Sequence, residues 1–204
     1  MAESQNFLDW LKGVDQPRPG FRRTRRPSQI PTVLSAGSIR VAYQPIVDLA
    51  TRKIFSYEAL VRSTSPHFQG PPALFAEAIR TQCCGALGRI IREIATSSCP
   101  DFPLFLNVHP NEFDESWLVQ PDDPIFSHYH PIYLEITESV PLSHFALCHS
   151  VLTEIRGKGI FLAVDDLGAG YSNLKYIVDL KPAFVTLDRG LIADIHRQPR
   201  LHTP

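Results

Sequence analysis

The chain has 204 residues, of which 44% are hydrophobic and 20% charged, as in an ordinary globular domain with a sizeable core. Its net charge of −1 argues against general attraction to nucleic acid or acidic membranes, so we expect no DNA binding. The apolar runs are too short for a transmembrane helix, and the N-terminus lacks a secretory signal pattern. We therefore expect a cytoplasmic protein without membrane insertion.

The beginning of the chain differs in composition from the rest. A short amphipathic stretch around Trp10 is followed by a run rich in proline and arginine. Such runs are typical of linkers. We predict an N-terminal extension and linker over residues 1–28 and one folded domain over residues 29–204.

Two strands are predicted at the start of the folded domain. Residues 39–49 and 53–63 are rich in β-branched and aromatic side chains, which favours strands. Only a short polar turn at residues 50–52 separates them. Because a crossover needs a much longer connection, we predict that the two strands pair antiparallel.

Helices and strands are predicted to alternate in the remainder. Apolar spacing predicts helices over residues 73–80, 85–97, 143–159 and 172–180. Strands are predicted over residues 103–109, 132–139, 159–166 and 183–188. From Tyr133 onward the order of strand, helix, strand, helix and strand favours a parallel sheet with right-handed crossovers.

Polar side chains interrupt or follow the apolar strands. Each needs a partner or a solvated strand end, because burying an unpaired charge is costly. They are Glu58, Asn107, Glu135, Asp165, Asp166 and Asp188. Taken singly, each is better explained as a strand-end cap or a member of a surface ion pair. Taken together, the first five predict a cluster at the carboxyl ends of four strands, where the active sites of α/β folds and barrels lie.

The donor atoms of this predicted cluster are all oxygens. Carboxylate and amide oxygens suit Mg²⁺ or Mn²⁺. A pair of such ions holds phosphate oxygens and activates water for phosphodiester cleavage. The joint pattern therefore favours a metal site over a set of unrelated caps.

Several short motifs, taken in order, resemble one protein family. They are YQPIVDL, EALVR at Glu58–Arg62, LNVHP, LEITES, DDLGAGYSNL and FVTLDRGLI. With them the chain resembles the EAL domain, the cyclic di-GMP phosphodiesterase family, over residues 33–193. The resemblance implies a TIM-like (β/α) barrel with an antiparallel first strand, and it implies cyclic di-GMP as the partner molecule.

The resemblance also implies roles for individual residues. It implies that one metal ion is bound by Glu58, Asn107, Glu135 and Asp165, with Asp166 serving a second ion. It implies that the dinucleotide is contacted by Gln44, Leu60 and Arg62. Arginine suits this role because its planar fork binds a phosphate or a guanine edge through two hydrogen bonds. A structural role in the loop after Asp166 falls to Glu138, Gly168 and Gly170, and this loop links dimer contacts to the metal site.

Two features depart from the family pattern. Thr186 stands where the family has a catalytic lysine, and its short uncharged side chain cannot place an ammonium group beside the attacking water. Losing one positioned electrostatic group commonly costs about 10²–10³ in rate. The family also continues beyond the position of Pro204, so we expect a barrel that is incomplete at its C-terminus. A homodimer or a partner protein could cover the open sheet edges.

Three functions follow from these observations. The first is a degenerate binding or regulatory module that retains the metal and dinucleotide pocket, which Thr186 favours. The second is an active phosphodiesterase that uses Mg²⁺ or Mn²⁺ to open cyclic di-GMP to linear pGpG. The third is a protein-interaction domain that binds no nucleotide.

Overall fold

Six strands form one sheet in the computed structural model, which describes residues 37–113, 116–137, 145–168 and 181–193. The strands are β1 (Ile39–Val47), β2 (Ile54–Ser63), β3 (Leu104–Asn107), β4 (Ile132–Thr137), β5 (Phe161–Leu167) and β6 (Phe184–Leu187). The α-helices are α1 (Pro71–Arg80), α2 (Cys84–Ser98), α3 (Phe145–Gly157) and the short α4 (Arg189–Ile192). Short 3-10 helices cover Pro110–Glu112, Ser116–Val119 and Pro124–Phe126.

The sheet is parallel except for its first strand. The strands lie in chain order, β1 pairs antiparallel with β2, and each later neighbouring pair is parallel. Asp48 closes the hairpin, because its side chain accepts the amide of Thr51 and its carbonyl accepts the amide of Arg52, each at 2.7 Å. The predicted antiparallel hairpin and the parallel strands after it are confirmed.

Most of the other predicted helices and strands can be compared with the structure. The strands and helices predicted within the described ranges agree with it apart from a few residues at their ends. The sequence analysis did not predict α4 or the 3-10 helices. The predicted extension over residues 1–28 and the helix over residues 172–180 lie outside the described residues. No described helix is long and apolar enough to cross a membrane.

The alternation of side chains along each strand gives the sheet two different faces. Leu104 and Leu106 are buried in the core between the sheet and the helices. Phe105 points to the other face, where its ring stacks on Tyr133 with centroids 4.4 Å apart. Two residues further along β3 on that same face lies Asn107. An aromatic layer therefore lies beneath the polar carboxyl ends of the strands.

A buried ionic network joins α2 to the segment that follows β3. Nη1 of Arg92 donates to Glu112 at 2.6 Å, and Nη2 donates to Asp123 at 2.8 Å. All three side chains are at most 2% exposed. Gly88 allows this packing, because a Cβ there would lie 1.9 Å from Oε2 of Glu112. The network therefore fixes the segment that follows the candidate site residue Asn107 against α2.

Candidate functional site

Five of the six predicted polar residues lie together at one end of the sheet. Parallel strands direct their carboxyl ends to the same edge, and the pairing places Asn107 opposite Glu135. Glu58, Asn107, Asp165 and Asp166 line a pocket of about 120 Å³. Glu135 lies on β4 between the strands that carry these residues and is only 3% exposed.

The remaining walls of the pocket are apolar or cationic. The apolar lining residues are Ala59, Leu60, Val61, Pro71, Pro72, Phe75 and Ile91. Arg62 is the cationic residue among the described residues that line the pocket. The pocket therefore presents carboxylates, a guanidinium group and a broad apolar surface to one space.

Glu58 is held by its neighbour on β3. Nδ2 of Asn107 donates a hydrogen bond to Oε1 of Glu58 across 3.1 Å. Burial raises the pKa of Glu58 above its ordinary value, and the nearby Asp165 raises it further. The hydrogen bond from Asn107 and the charge of Arg62 act in the opposite direction.

Glu135 is the most confined carboxylate of the group. Burial raises its pKa well above the ordinary value, and repulsion from Glu58, Asp165 and Asp166 adds to this effect. Its Oε2 atom is buried and has no hydrogen-bond partner. Burying an oxygen without a donor close to three further carboxylates costs free energy. A cation or a proton bound to that oxygen lowers this cost.

The end of β5 has an irregular backbone. Asp166 has φ of 55°, which is uncommon for a residue other than glycine. Its amide donates to Oδ1 of Asp165 at 2.9 Å and to Oγ1 of Thr186 at 3.0 Å. The Thr186 hydroxyl in turn donates to Oδ1 of Asp165. Burial raises the pKa of Asp165, although these two hydrogen bonds to its side chain oppose the rise.

The donor set fits a divalent cation in its chemistry. It consists of carboxylate and amide oxygens, and Oε2 of Glu135 lacks a donor. Within the described ranges, however, no group of three or more His, Cys, Asp or Glu side chains could hold an ion by itself. Glu58 and Asp165 each accept a hydrogen bond at one oxygen, from Asn107 and from Thr186 respectively.

The other predicted ligand residues are placed differently from one another. Leu60 and Arg62 line the pocket together with Glu58. Gln44 is the direct pairing partner of Glu58 on β1, but it is exposed and does not line the pocket. Asp188 does not line the pocket but caps α4, where its side chain accepts a hydrogen bond from the amide of Gly190 at 2.7 Å.

Of the three predicted loop residues, Gly168 is the one within the described ranges. It has φ of 100°, a backbone conformation that favours glycine, and a Cβ there would lie 2.3 Å from Cδ1 of Leu191. Glu138 and Gly170 lie outside the described residues. The predicted link between this loop and dimer contacts stays a prediction.

Sequence reasoning missed two parts of the site. Phe75 was predicted only as part of a helix and Pro71 and Pro72 were given no role, whereas these residues form a wall of the pocket. Proline at the first positions of a helix is an ordinary start signal and gives no hint of a ligand. Sequence reasoning also considered Thr186 only for the missing lysine and did not predict its hydrogen bonds to the Asp165–Asp166 segment.

Comparison with known proteins identifies relatives of the chain. A family model described as the EAL domain matches residues 28–202. The uncharacterized protein y4lL of Sinorhizobium fredii is 34% identical over 184 residues, which are 85% of this chain and 22% of that protein. The cyclic di-GMP phosphodiesterase PA2567 of Pseudomonas aeruginosa is 30% identical over 173 residues, which are 78% of this chain and 30% of that protein. The chain therefore spans less than a third of either curated relative.

A solved structure with the same fold is BlrP1 of Klebsiella pneumoniae in a manganese and cyclic di-GMP complex. It superposes with a TM-score of 0.64 and 28% identity, over 78% of this chain and 42% of that chain. BlrP1 has also been solved in a calcium and cyclic di-GMP complex. The predicted TIM-like α/β fold is confirmed. Because the family model covers most of its length, the chain belongs to the EAL domain family.

Proposed function

We propose that this domain binds cyclic di-GMP together with a divalent cation and acts as a regulatory module with little or no hydrolytic activity. The observation that carries the proposal is the pocket that joins Glu58, Asn107 and Asp165 to Arg62 and an apolar wall. Carboxylates bind phosphates through a cation, arginine binds phosphates or guanine edges directly, and apolar surface packs against flat bases. Cyclic di-GMP contains all of these groups.

The relatives support the same ligand. PA2567 is named as a cyclic di-GMP phosphodiesterase, and BlrP1 was solved with cyclic di-GMP and manganese. We propose Mg²⁺ or Mn²⁺ for this chain, with Glu58, Asn107, Glu135 and Asp165 holding one ion and Asp166 contributing to a second. Such a cation, when bound, supplies positive charge that polarises a phosphate. The protein's part is to hold these oxygens close together in a largely buried pocket, with Arg62 in the pocket wall.

Thr186 is the reason for proposing a regulatory module. Its hydroxyl is engaged with Asp165 and with the amide of Asp166, at the position where the resemblance places a catalytic lysine. Arg62 is the one cationic side chain among the described residues lining the pocket, and it donates to the carbonyl of Val61 at 2.9 Å. A pocket with so little positive charge of its own stabilises charge on a reacting phosphate poorly.

The second candidate is an active phosphodiesterase. The acidic set Glu58, Glu135, Asp165 and Asp166 is complete, and a relative carries that activity in its name.

A homodimer or partner protein, a cytoplasmic location, and the division into residues 1–28 and 29–204 are further proposals.

Calorimetry and chromatography on the purified chain separate these functions. With Mn²⁺ present, we expect binding of cyclic di-GMP and no accumulation of linear product over hours. Glu58→Gln should abolish this binding, whereas the exposed Glu93→Gln should retain it. Turnover in the wild-type protein that disappears in Glu58→Gln would favour the phosphodiesterase. The absence of binding with and without metal would reject both functions and leave the protein-interaction domain.

A further inference from the structure

We infer that Thr186 is a positioning residue that fastens the Asp165–Asp166 segment and so holds Asp165 ready for the cation. The role for the cation rests on the proposed function. The fastening itself rests on the hydrogen bonds and backbone of the segment. We call the three linked hydrogen bonds among Asp165, Asp166 and Thr186 the threonine latch.

The pairing of β5 with β6 explains why this segment needs fastening. Val164 pairs with Val185 and Leu167 pairs with Leu187, so the register shifts between these two pairs. Asp165 and Asp166 on β5 therefore lie opposite the single residue Thr186 on β6. Two residues opposite one is the arrangement of a β-bulge, which bends the strand and re-aims its side chains.

The backbone of the bulge is held in an unfavourable conformation. Asp166 has φ of 55°, and left-handed backbone costs free energy in residues other than glycine. Such a conformation persists only when surrounding contacts hold it. The Asp166 amide provides those contacts, because both Oδ1 of Asp165 and Oγ1 of Thr186 accept from it.

The hydroxyl of Thr186 uses both of its hydrogen-bonding capacities. It accepts from the Asp166 amide and donates to Oδ1 of Asp165, so one group fixes the backbone and the carboxylate together. None of the latch bonds uses Oδ2 of Asp165, so the latch leaves that oxygen unengaged by its own three bonds. Valine has nearly the same shape as threonine but neither capacity, and serine keeps the hydroxyl.

Manganese titration tests the effect of the latch on the cation. Mn²⁺ binding to the full chain is followed by electron paramagnetic resonance in Thr186→Val, Thr186→Ser and a control, Thr153→Val. The Thr153 hydroxyl donates to the carbonyl of His149 on the exposed side of α3, so its loss should leave Mn²⁺ affinity unchanged. We expect Thr186→Val to weaken Mn²⁺ binding about tenfold, as for a lost hydrogen bond to a charged group, and Thr186→Ser to stay within about threefold.

A second measurement examines the latch without metal. Hydrogen exchange of the Asp166 amide, measured by NMR, should be at least about fivefold faster in Thr186→Val than in the wild-type protein and restored in Thr186→Ser. Wild-type protein that binds no Mn²⁺ would reject the proposed function, and the exchange rates would still report on the latch. Unchanged exchange in Thr186→Val would overturn the latch, and faster exchange with unchanged Mn²⁺ affinity would overturn its role for the cation.

A second pair of variants tests the inference if the valine variant does not fold. If Thr186→Val does not fold, Thr186→Ala is compared with Thr186→Ser in the same two measurements. Serine should match the wild-type protein, and alanine should lose both metal affinity and amide protection. Equal behaviour of the two variants would overturn the inference.

Discussion

Nδ2 of Asn107 donates a hydrogen bond to Oε1 of Glu58 across 3.1 Å, which joins neighbouring strands through residues 49 positions apart. This bond satisfies one oxygen of a carboxylate whose pKa is raised by burial and by Asp165. Amide and hydroxyl donors therefore help to hold the carboxylates of the site in place.

Glu58→Gln should separate metal binding from stability. The amide removes one negative charge from a group whose members repel one another, so the free energy of unfolding without metal at pH 8 should be unchanged or higher. Mn²⁺ affinity should fall at least about tenfold, because even outer residues of metal sites cost 10–100-fold. Urea denaturation and Mn²⁺ titration measure the two effects. Glu93→Gln on the exposed side of α2 is the control, and an equal loss of stability and affinity in Glu58→Gln would contradict the expectation.

Arg92→Met should destabilise the fold strongly. The substitution leaves Glu112 and Asp123 buried without their cation, and burial already raises the pKa of Glu112 beside that cation. Breaking a buried ion pair on one side costs about 3–5 kcal/mol of unfolding free energy. Urea denaturation followed by circular dichroism measures this loss.

Arg89→Met provides a matched control on the same helix. Arg89 pairs with Asp122 at 2.9 Å, but the Asp122 side chain is 77% exposed. The loss should therefore be at most about 1 kcal/mol, as for other exposed pairs. Similar losses in the two variants would show that burial of the Arg92 network does not matter.

Gly88→Ala should disturb the same network through packing alone. The new Cβ would lie 1.9 Å from Oε2 of Glu112, which cannot move away cheaply because it is buried and paired with Arg92. We expect a loss of about 1–3 kcal/mol, the usual cost of overpacking. Gly157→Ala, where the new Cβ would meet no atom within 4 Å apart from adjacent residues and its own helix backbone, should change stability by less than about 1 kcal/mol. A neutral Gly88→Ala in thermal denaturation would contradict the packing.

His109 should make stability depend on pH. Burial lowers its pKa from 6.5 to about 4, and its Nδ1 accepts the amide of Asn111 at 3.1 Å, which only an unprotonated Nδ1 can do. Below pH 6.5 the unfolded chain binds a proton that the folded protein does not bind until about pH 4. This contribution is therefore complete above pH 6.5 and is lost as the pH falls, by up to about 3 kcal/mol.

His109→Asn isolates this effect. Asparagine keeps an acceptor for the Asn111 amide but does not titrate, so the difference between the two stability curves removes the opposing effect of carboxylates with raised pKa values. Measured by urea denaturation at several pH values, the wild-type protein should lose stability relative to His109→Asn as the pH falls from 6.5 to 4. Curves that stay parallel would show that His109 does not carry the dependence.

Much of the fold was predictable because it depends on local pattern. The β-branched and aromatic residues within 39–49 and 53–63, and the three-residue turn between them, were enough to predict the antiparallel hairpin. The polar positions Glu58, Asn107 and Asp165 stood out because they interrupt or end apolar strands. Their meeting at one pocket followed from the rule that parallel strands end at one edge.

The hydrogen bonds within the site were not predictable in the same way. Thr186 in a short apolar strand gives no sign that its hydroxyl meets Asp165, and Arg92 in an amphipathic helix gives no sign of two buried carboxylate partners. The sequence by itself determined the order of the elements and the positions of their polar residues, because these depend on spacings of two to four residues. Only the tertiary structure decided which polar atoms bond one another, because strand register and helix packing bring together residues 20 to 49 positions apart.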